Sequence, residues 1–175
     1  MAQHELEPFE RLILPHLDDA YTLARYLLRN EHDAQDVVQD AVLRAVRYFD
    51  GFRDGDARAW LLAIVRNCCH TWHRRNKNDR ATVSYTDAAD SPQLQGAVGA
   101  DALAIQSSER AAIERAIGEL PMEWREVIVL REVEEMSYKE ISTITGVPIG
   151  TVMSRLARAR KRLAASLGLH VREAS

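Results

Sequence analysis

At 175 residues and 19.8 kDa, the chain is long enough for one mid-sized domain or two small ones. A composition 46% hydrophobic and 28% charged is too apolar for a wholly disordered protein. A net charge of −3 excludes a uniformly basic nucleic-acid coat, and two cysteines that are neighbours, Cys68 and Cys69, exclude a disulfide framework.

The longest apolar run, Ala59 to Val65, falls far short of the roughly 18 residues that span a bilayer. The N-terminus carries Glu5, Glu7 and Glu10 with no apolar stretch, which predicts no secretory signal and a cytoplasmic protein. Eight Gly and five Pro, with no strand-like alternation, predict an all-α fold.

Three helical patterns fill the first 75 residues. Residues 12–29 place Leu17, Tyr21, Ala24 and Leu28 at helical spacing. Asn30, with Asp33 three residues on, reads as an N-cap and an acidic first turn. The helix it opens sets Val38, Ala41, Val42, Ala45 and Phe49 on one face. Residues 49–56, with two Gly and three Asp, read as a loop. From Trp60 the helical period resumes through Leu61, Ile64, Val65, Cys68 and Trp72, and it ends in the basic run His73-Arg74-Arg75.

Residues 76–101 lose the apolar period and read as a linker between two domains. Beyond them Ile113, Ala116, Ile117 and Leu120 predict an amphipathic helix closed by Gly118 and Pro121, and Val127, Ile128, Leu130 and Arg131 a further one. Ser137-Tyr138-Lys139-Glu140 is a capping box that opens a short helix, with Gly146 at the sharp turn after it and Pro148 in the first turn of the next helix.

A short helix, a glycine turn and a second helix make a helix-turn-helix plan. At about 100° per residue from Thr151, Val152, Leu156, Ala159 and Leu163 fall between roughly 80° and 140°. Thr151, Ser154, Arg155, Arg158, Lys161 and Arg162 fall between roughly 280° and 40°. Residues 151–162 hold five cations and no acid. Such a helix docks by its apolar stripe and reads a major groove with the other side, since arginine matches guanine O6 and N7 while lysines and hydroxyls reach phosphates. A solvated surface helix is the plainer alternative, but solvated faces usually mix the two signs of charge. A second cationic cluster, Arg66, Arg74, Arg75, Lys77 and Arg80, is opposed only by Asp79.

The segments 33–45, 59–67 and 137–163 closely resemble, in order and spacing, the extracytoplasmic-function class of bacterial RNA polymerase sigma factors. The resemblance covers nearly the whole chain. It implies a sigma-2 helical bundle over residues 10–76, a flexible linker over 77–106 and a sigma-4 helix-turn-helix domain over 107–168. It further implies binding to the polymerase core at the β′ clamp helices and the β flap, and transcription initiation at specific promoters. On this reading sigma-4 contacts the −35 element through Thr151, Ser154, Arg155, Arg158, Lys161 and Arg162. Sigma-2 melts and reads the −10 element through Phe52, Arg53, Arg66, Asn67, Arg74 and Arg75. The segment holding Asp33, Asp36, Gln39 and Asp40 docks on the polymerase, where acids would meet partner arginines.

The linker acids Asp87, Asp90 and Asp101 would run toward the RNA exit channel, or serve simply as a solubilising spacer. The resemblance also implies an anti-sigma factor, which would hold the protein at the membrane where that factor is membrane-bound. No cofactor is implied, and no nucleophile–base pair or phosphate loop points to an enzyme. Met153 and Ser142 depart mildly from the family pattern, and Met153 flanks the groove face.

Cys69 and His73, one helical turn apart, could share a metal, but Cys68 continues an apolar stripe and a buried thiol is the commoner role. A ligand-sensing regulator would need a pocket that about 65 tightly periodic residues leave little room for. Trp60 and Trp72 read as core aromatics before base-stacking ones.

Overall fold

The computed structural model describes residues 3–82 and 101–169, and every regular element in them is helical. The first domain holds α1 (Gln3–Ile13), α2 (Leu17–Leu28), α3 (Glu31–Tyr48) and α4 (Ala57–Thr82). Short 3-10 turns at Leu14–His16 and Phe49–Gly51 join α1 to α2 and follow α3. The second domain holds α5 (Asp101–Gly118), α6 (Met122–Ile128), α7 (Tyr138–Thr145) and α8 (Ile149–Ser166). Helical structure thus runs six residues past position 76 and starts six before 107, and residues 83–100 lie outside the described set.

Alanine spacing lets the first bundle pack closely. α2 buries Ala20, Leu23, Ala24, Leu27 and Leu28, a stripe rotated from the expected one because Leu17 and Tyr21 sit at its edge. α3 buries Ala34, Val37, Ala41 and Ala45, a row of small side chains against which α2 and α4 lie flat. α4 answers with Leu61, Leu62, Val65, Cys68 and Cys69. Each fully buried Leu or Ile contributes roughly 1.5–3 kcal/mol to such a core. Helix ends follow local chemistry: Asn30 Oδ1 accepts the Asp33 amide at 3.0 Å and starts α3. Arg29 takes the left-handed conformation (φ 60°) that closes α2.

In the second domain α8 crosses α6 and α7 and buries Val152, Leu156 and Ala159, with Leu163 half-buried. The capping box is present: Ser137 Oγ accepts from the Glu140 amide at 3.2 Å, and the Glu140 carboxylate accepts from the Ser137 amide at 2.7 Å. Gly146 ends α7 at φ 73°, a backbone state that favours glycine. Pro148 is the N-cap of α8 rather than part of its first turn. Ile113, expected in the core, is exposed on α5. A π turn (Val129–Val133) continues α6, with the Glu134 amide reaching back to the Val129 carbonyl at 3.0 Å.

The two domains are packed together. α4 lies against α7, and α2 against α5 and α6, so that the buried apolar side chains of both halves form one continuous cluster. Arg125 fastens this seam. Its NH1 donates to the Leu27 carbonyl at 2.9 Å, and NH2 donates to the Gly118 and Leu120 carbonyls at 2.7 and 2.9 Å. These are carbonyls at the last turn of α2, the last residue of α5 and the turn that follows it, where helical amides run out. The guanidinium is buried beside Arg29, and burial first, then Arg29, lowers its pKa to about 10, so it stays a cation at neutral pH. A Cβ at Gly118 would come within 2.7 Å of Arg29 Nε, the far end of a flexible, exposed side chain.

Candidate nucleic-acid interface

The groove-facing side of α8 is cationic. Ser154, Arg158, Lys161 and Arg162 are exposed, while Thr151 and Arg155 are half-buried. Ser154 Oγ donates to the Thr151 carbonyl at 3.0 Å, which fixes the hydroxyl against the helix backbone. Arg160 lies on another side, where its Nε donates to Glu132 Oε1 at 3.0 Å. Arg155 leans inward, with NH1 3.7 Å from Glu126 Oε1. That nitrogen is buried and has no hydrogen-bond partner.

In the first domain, the loop before α4 is anchored by stacking. The Phe52 ring sits 5.1 Å from Trp60 and 6.1 Å from Phe49, and Phe9 meets Phe49 edge-on at 5.2 Å. Trp60 is therefore part of an aromatic cluster that carries the loop, and Arg53 projects from it exposed. Asp56 Oδ1 accepts from the Arg58 and Ala59 amides at 2.9 and 3.2 Å, which starts α4. Along α4, Asn67, Arg74 and Arg75 are exposed, and Trp72 is half-buried and stacked on His73. Asn67 Oδ1 accepts from Arg66 NH1 at 3.3 Å.

The acidic edge of α3 is split by its surroundings. Asp33 is half-buried at the cap, while Asp36, Gln39 and Asp40 are exposed, and Arg44 Nε pairs with Asp40 at 3.0 Å. Asp36, Asp40 and Arg44 share a groove with Cys68, Trp72 and Arg75 of α4, so one surface presents acids beside cations. Asp87 and Asp90 lie outside the described residues. Cys69 is wholly buried whereas His73 is exposed, and among the described residues no cluster of three or more metal-binding side chains forms.

Two interdomain ion clusters were not anticipated from the sequence. The first centres on Glu126 of α6, whose side chain is fully buried. Arg66 clasps it with both arms, Nε to Oε2 at 2.9 Å and NH2 to Oε1 at 3.1 Å. His70 Nε2 lies 2.6 Å from Oε2 and donates to the ionised carboxylate. Burial alone would raise the Glu126 pKa, but the hydrogen bonds from His70 and Arg66 prevail and hold it below the usual carboxylate range.

The second cluster centres on Arg58. It donates to Asp19 at 2.6 Å, to the Glu134 carboxylate at 2.7 Å and to the Glu134 carbonyl at 2.9 Å. Burial and then Asp19 raise the Glu134 pKa despite Arg58. A signal for Glu126 existed in the sequence: one acid opens the apolar run Val127 to Leu130, where an unpaired carboxylate would be costly.

The sequence matches the family model of sigma-70 region 2 over residues 12–79 and that of sigma-70 region 4 over residues 110–163. It is 31% identical over 171 residues to the ECF RNA polymerase sigma factor SigE of Mycolicibacterium smegmatis, a match spanning 98% of this chain and 66% of that protein. It is 35% identical over 161 residues to the sigma factor SigM of Mycobacterium tuberculosis, spanning 91% and 77%. The fold is similar to that of the sigma factor RpoE in complex with the anti-sigma factor NepR from Bartonella quintana, with TM-score 0.72 and 28% identity over 94% of this chain and 99% of that one. It is also similar to CnrH in complex with the cytosolic domain of CnrY, with TM-score 0.66 and 28% identity over 91% and 87%. With helical domains that match regions 2 and 4 in order, the chain belongs to the extracytoplasmic-function class of RNA polymerase sigma factors, which direct the polymerase to promoters.

Proposed function

We propose that this sigma factor reads the −35 element with α8 and opens and reads the −10 element with α4 and the Phe52–Arg53 loop. The acid-free face of α8 is the observation that carries the reading. Thr151, Ser154, Arg155, Arg158, Lys161 and Arg162 form a side of cations and hydroxyls, without a carboxylate, that suits phosphate and guanine and is backed by a narrow apolar stripe. Arg66, Asn67, Arg74 and Arg75 supply the −10 site, where an exposed amide suits a base edge and arginines suit the strand's phosphates.

Asp33, Asp36, Gln39 and Asp40 dock on the β′ clamp helices of the core enzyme, with the second domain at the β flap. The protein works in the cytoplasm as a factor rather than a catalyst. An anti-sigma factor controls it, a reading supported by the two similar structures, each of a sigma factor bound to such a partner. No helix among the described residues is long and apolar enough to cross a membrane, so a membrane location would come through that partner.

Run-off transcription with core polymerase on a promoter library tests the proposal and yields the motif together. Promoter-selective transcripts that depend on the added chain are expected. Transcript output no higher than with core alone, on every template, overturns it.

A further inference from the structure

Two large apolar side chains are exposed near the start of α8. Ile149 is 44% exposed and Met153 52%, and they stand one helical turn apart on the same side. Neither belongs to the buried stripe of Val152, Leu156 and Ala159. A single exposed apolar residue is ordinary, but a neighbouring pair on a helix otherwise faced with cations and hydroxyls calls for a partner.

Their direction indicates which one. Counting about 100° per residue from Thr151, the buried stripe centres near roughly 110°, so α8 faces away from its domain near roughly 290°. Met153 lies about 90° to one side of that direction, and Arg155 about 110° to the other. Met153 is therefore as well placed as Arg155 to enter a groove. Helical side chains lean toward the N-terminus, so Met153 reaches back toward Ile149 and Gly150. A Cβ at Gly150 would meet nothing within 4 Å, which leaves space beside the thioether. Farther along this side Arg160 is turned to Glu132, 3.0 Å away, and leaves the edge to the apolar pair.

An apolar side chain gains nothing from a phosphate, and the opposite edge of α8 already carries the cations for that purpose. Of the groups that base pairs display in the major groove, the apolar one is the thymine C5-methyl. Helix-turn-helix proteins bring the N-terminal residues of the recognition helix to the base edges, and Ile149 and Met153 lie in that part of α8. Methionine is unbranched and polarizable, and so adapts to a methyl group on a base.

We infer that Met153, backed by Ile149, is a specificity-determining residue that packs against the methyl group of one thymine in the −35 element. That position is read by apolar contact, while the arginines read guanine and phosphate. The inference rests on the −35 reading of α8 proposed above.

The test removes single methyl groups from the DNA. Once the promoter library has yielded the −35 motif, holoenzyme containing the full chain is titrated, at fixed salt, onto promoter duplexes. In these, each thymine of the element, on either strand, is replaced in turn by uracil, which keeps every hydrogen-bonding group and lacks only the methyl. At one position the replacement should weaken wild-type binding roughly fourfold, as expected for one buried methyl. This comparison needs no protein variant. Met153→Ala should bind the thymine duplex about as weakly as the wild type binds the uracil duplex, and should no longer distinguish the two. Met153→Leu should restore part of the difference.

Equal wild-type affinity for thymine and uracil at every position overturns the inference, as does a methyl effect that survives intact in Met153→Ala. Weaker retention of the core enzyme by Met153→Ala, with unchanged discrimination between the duplexes, would give the apolar pair to a protein partner and overturns it too. Promoter-selective transcription without a methyl effect removes this inference alone. Transcription no higher than with core alone removes the −35 reading, and this inference with it.

Discussion

Arg155 and Arg158 lie three residues apart on α8 and were indistinguishable as sequence, yet their surroundings differ. Arg158 is exposed, so Arg158→Ala should weaken −35 binding by roughly 1–3 kcal/mol if its contact is bidentate to guanine, and leave the melting temperature essentially unchanged. Arg155→Ala should lower both, because it also removes the cation nearest Glu126 within the same domain. Holoenzyme binding to promoter DNA at fixed salt, together with thermal melts, separates the two effects.

Glu126 and Glu134 make opposite contributions to acid stability. The Glu126 pKa is depressed in the folded chain, so its stabilisation is present above the ordinary carboxylate value and is lost as pH falls through the folded one. The Glu134 pKa is raised, so its contribution is full at low pH and is lost as pH rises through the folded value. Denaturant titrations from neutral pH down into the carboxylate range should show Glu126→Gln flattening the acid-side loss and Glu134→Gln steepening it. An identical pH profile for Glu126→Gln and wild type would contradict the ion pairing described.

At the scale of elements, short-range signals read most clearly. Asn30, the Ser137–Glu140 box and Gly146 act within a turn of their own positions, and each marks the helix end expected of it. The apolar stripe of α8 was legible because three of its four members face one way into the core. The π turn after α6 had no such signal. It arises where Glu134 must reach Arg58 and Met136 must enter the core, a demand set by distant residues.

α3 yields a prediction of its own. Asp36 and Asp40 are exposed, and the pair Asp40–Arg44 is a surface i,i+4 contact worth only about 0.3–0.5 kcal/mol. Asp36→Lys and Asp40→Lys should therefore leave the fold intact while reducing core retention in a pull-down at least tenfold. Unaltered retention would remove the acidic edge from the proposed polymerase contact.

At the scale of the whole molecule, the seam between domains was the least legible feature. Its partners lie far apart in the chain, Arg66 with Glu126 and Arg58 with Glu134, and no periodicity encodes such pairs. The domains read as independent modules because the segment between them lacks an apolar pattern, which bears on connection and not on docking. Arg125 measures how firmly they dock. Arg125→Met would orphan three carbonyls, of Leu27, Gly118 and Leu120, and should cost about 3 kcal/mol, read as a lower denaturant midpoint.

The adjacent sulfurs of α4 have a practical consequence. Cys68 and Cys69 are buried, and burial, before any neighbouring charge, pushes both thiols above their ordinary pKa, so reactive thiolate is scarce. Maleimide dyes placed on introduced surface cysteines should spare the native pair without its removal. Under iodoacetamide, alkylation of that pair should proceed only as fast as the first bundle opens, and mass spectrometry of the modified peptide would then serve as a clock for that opening.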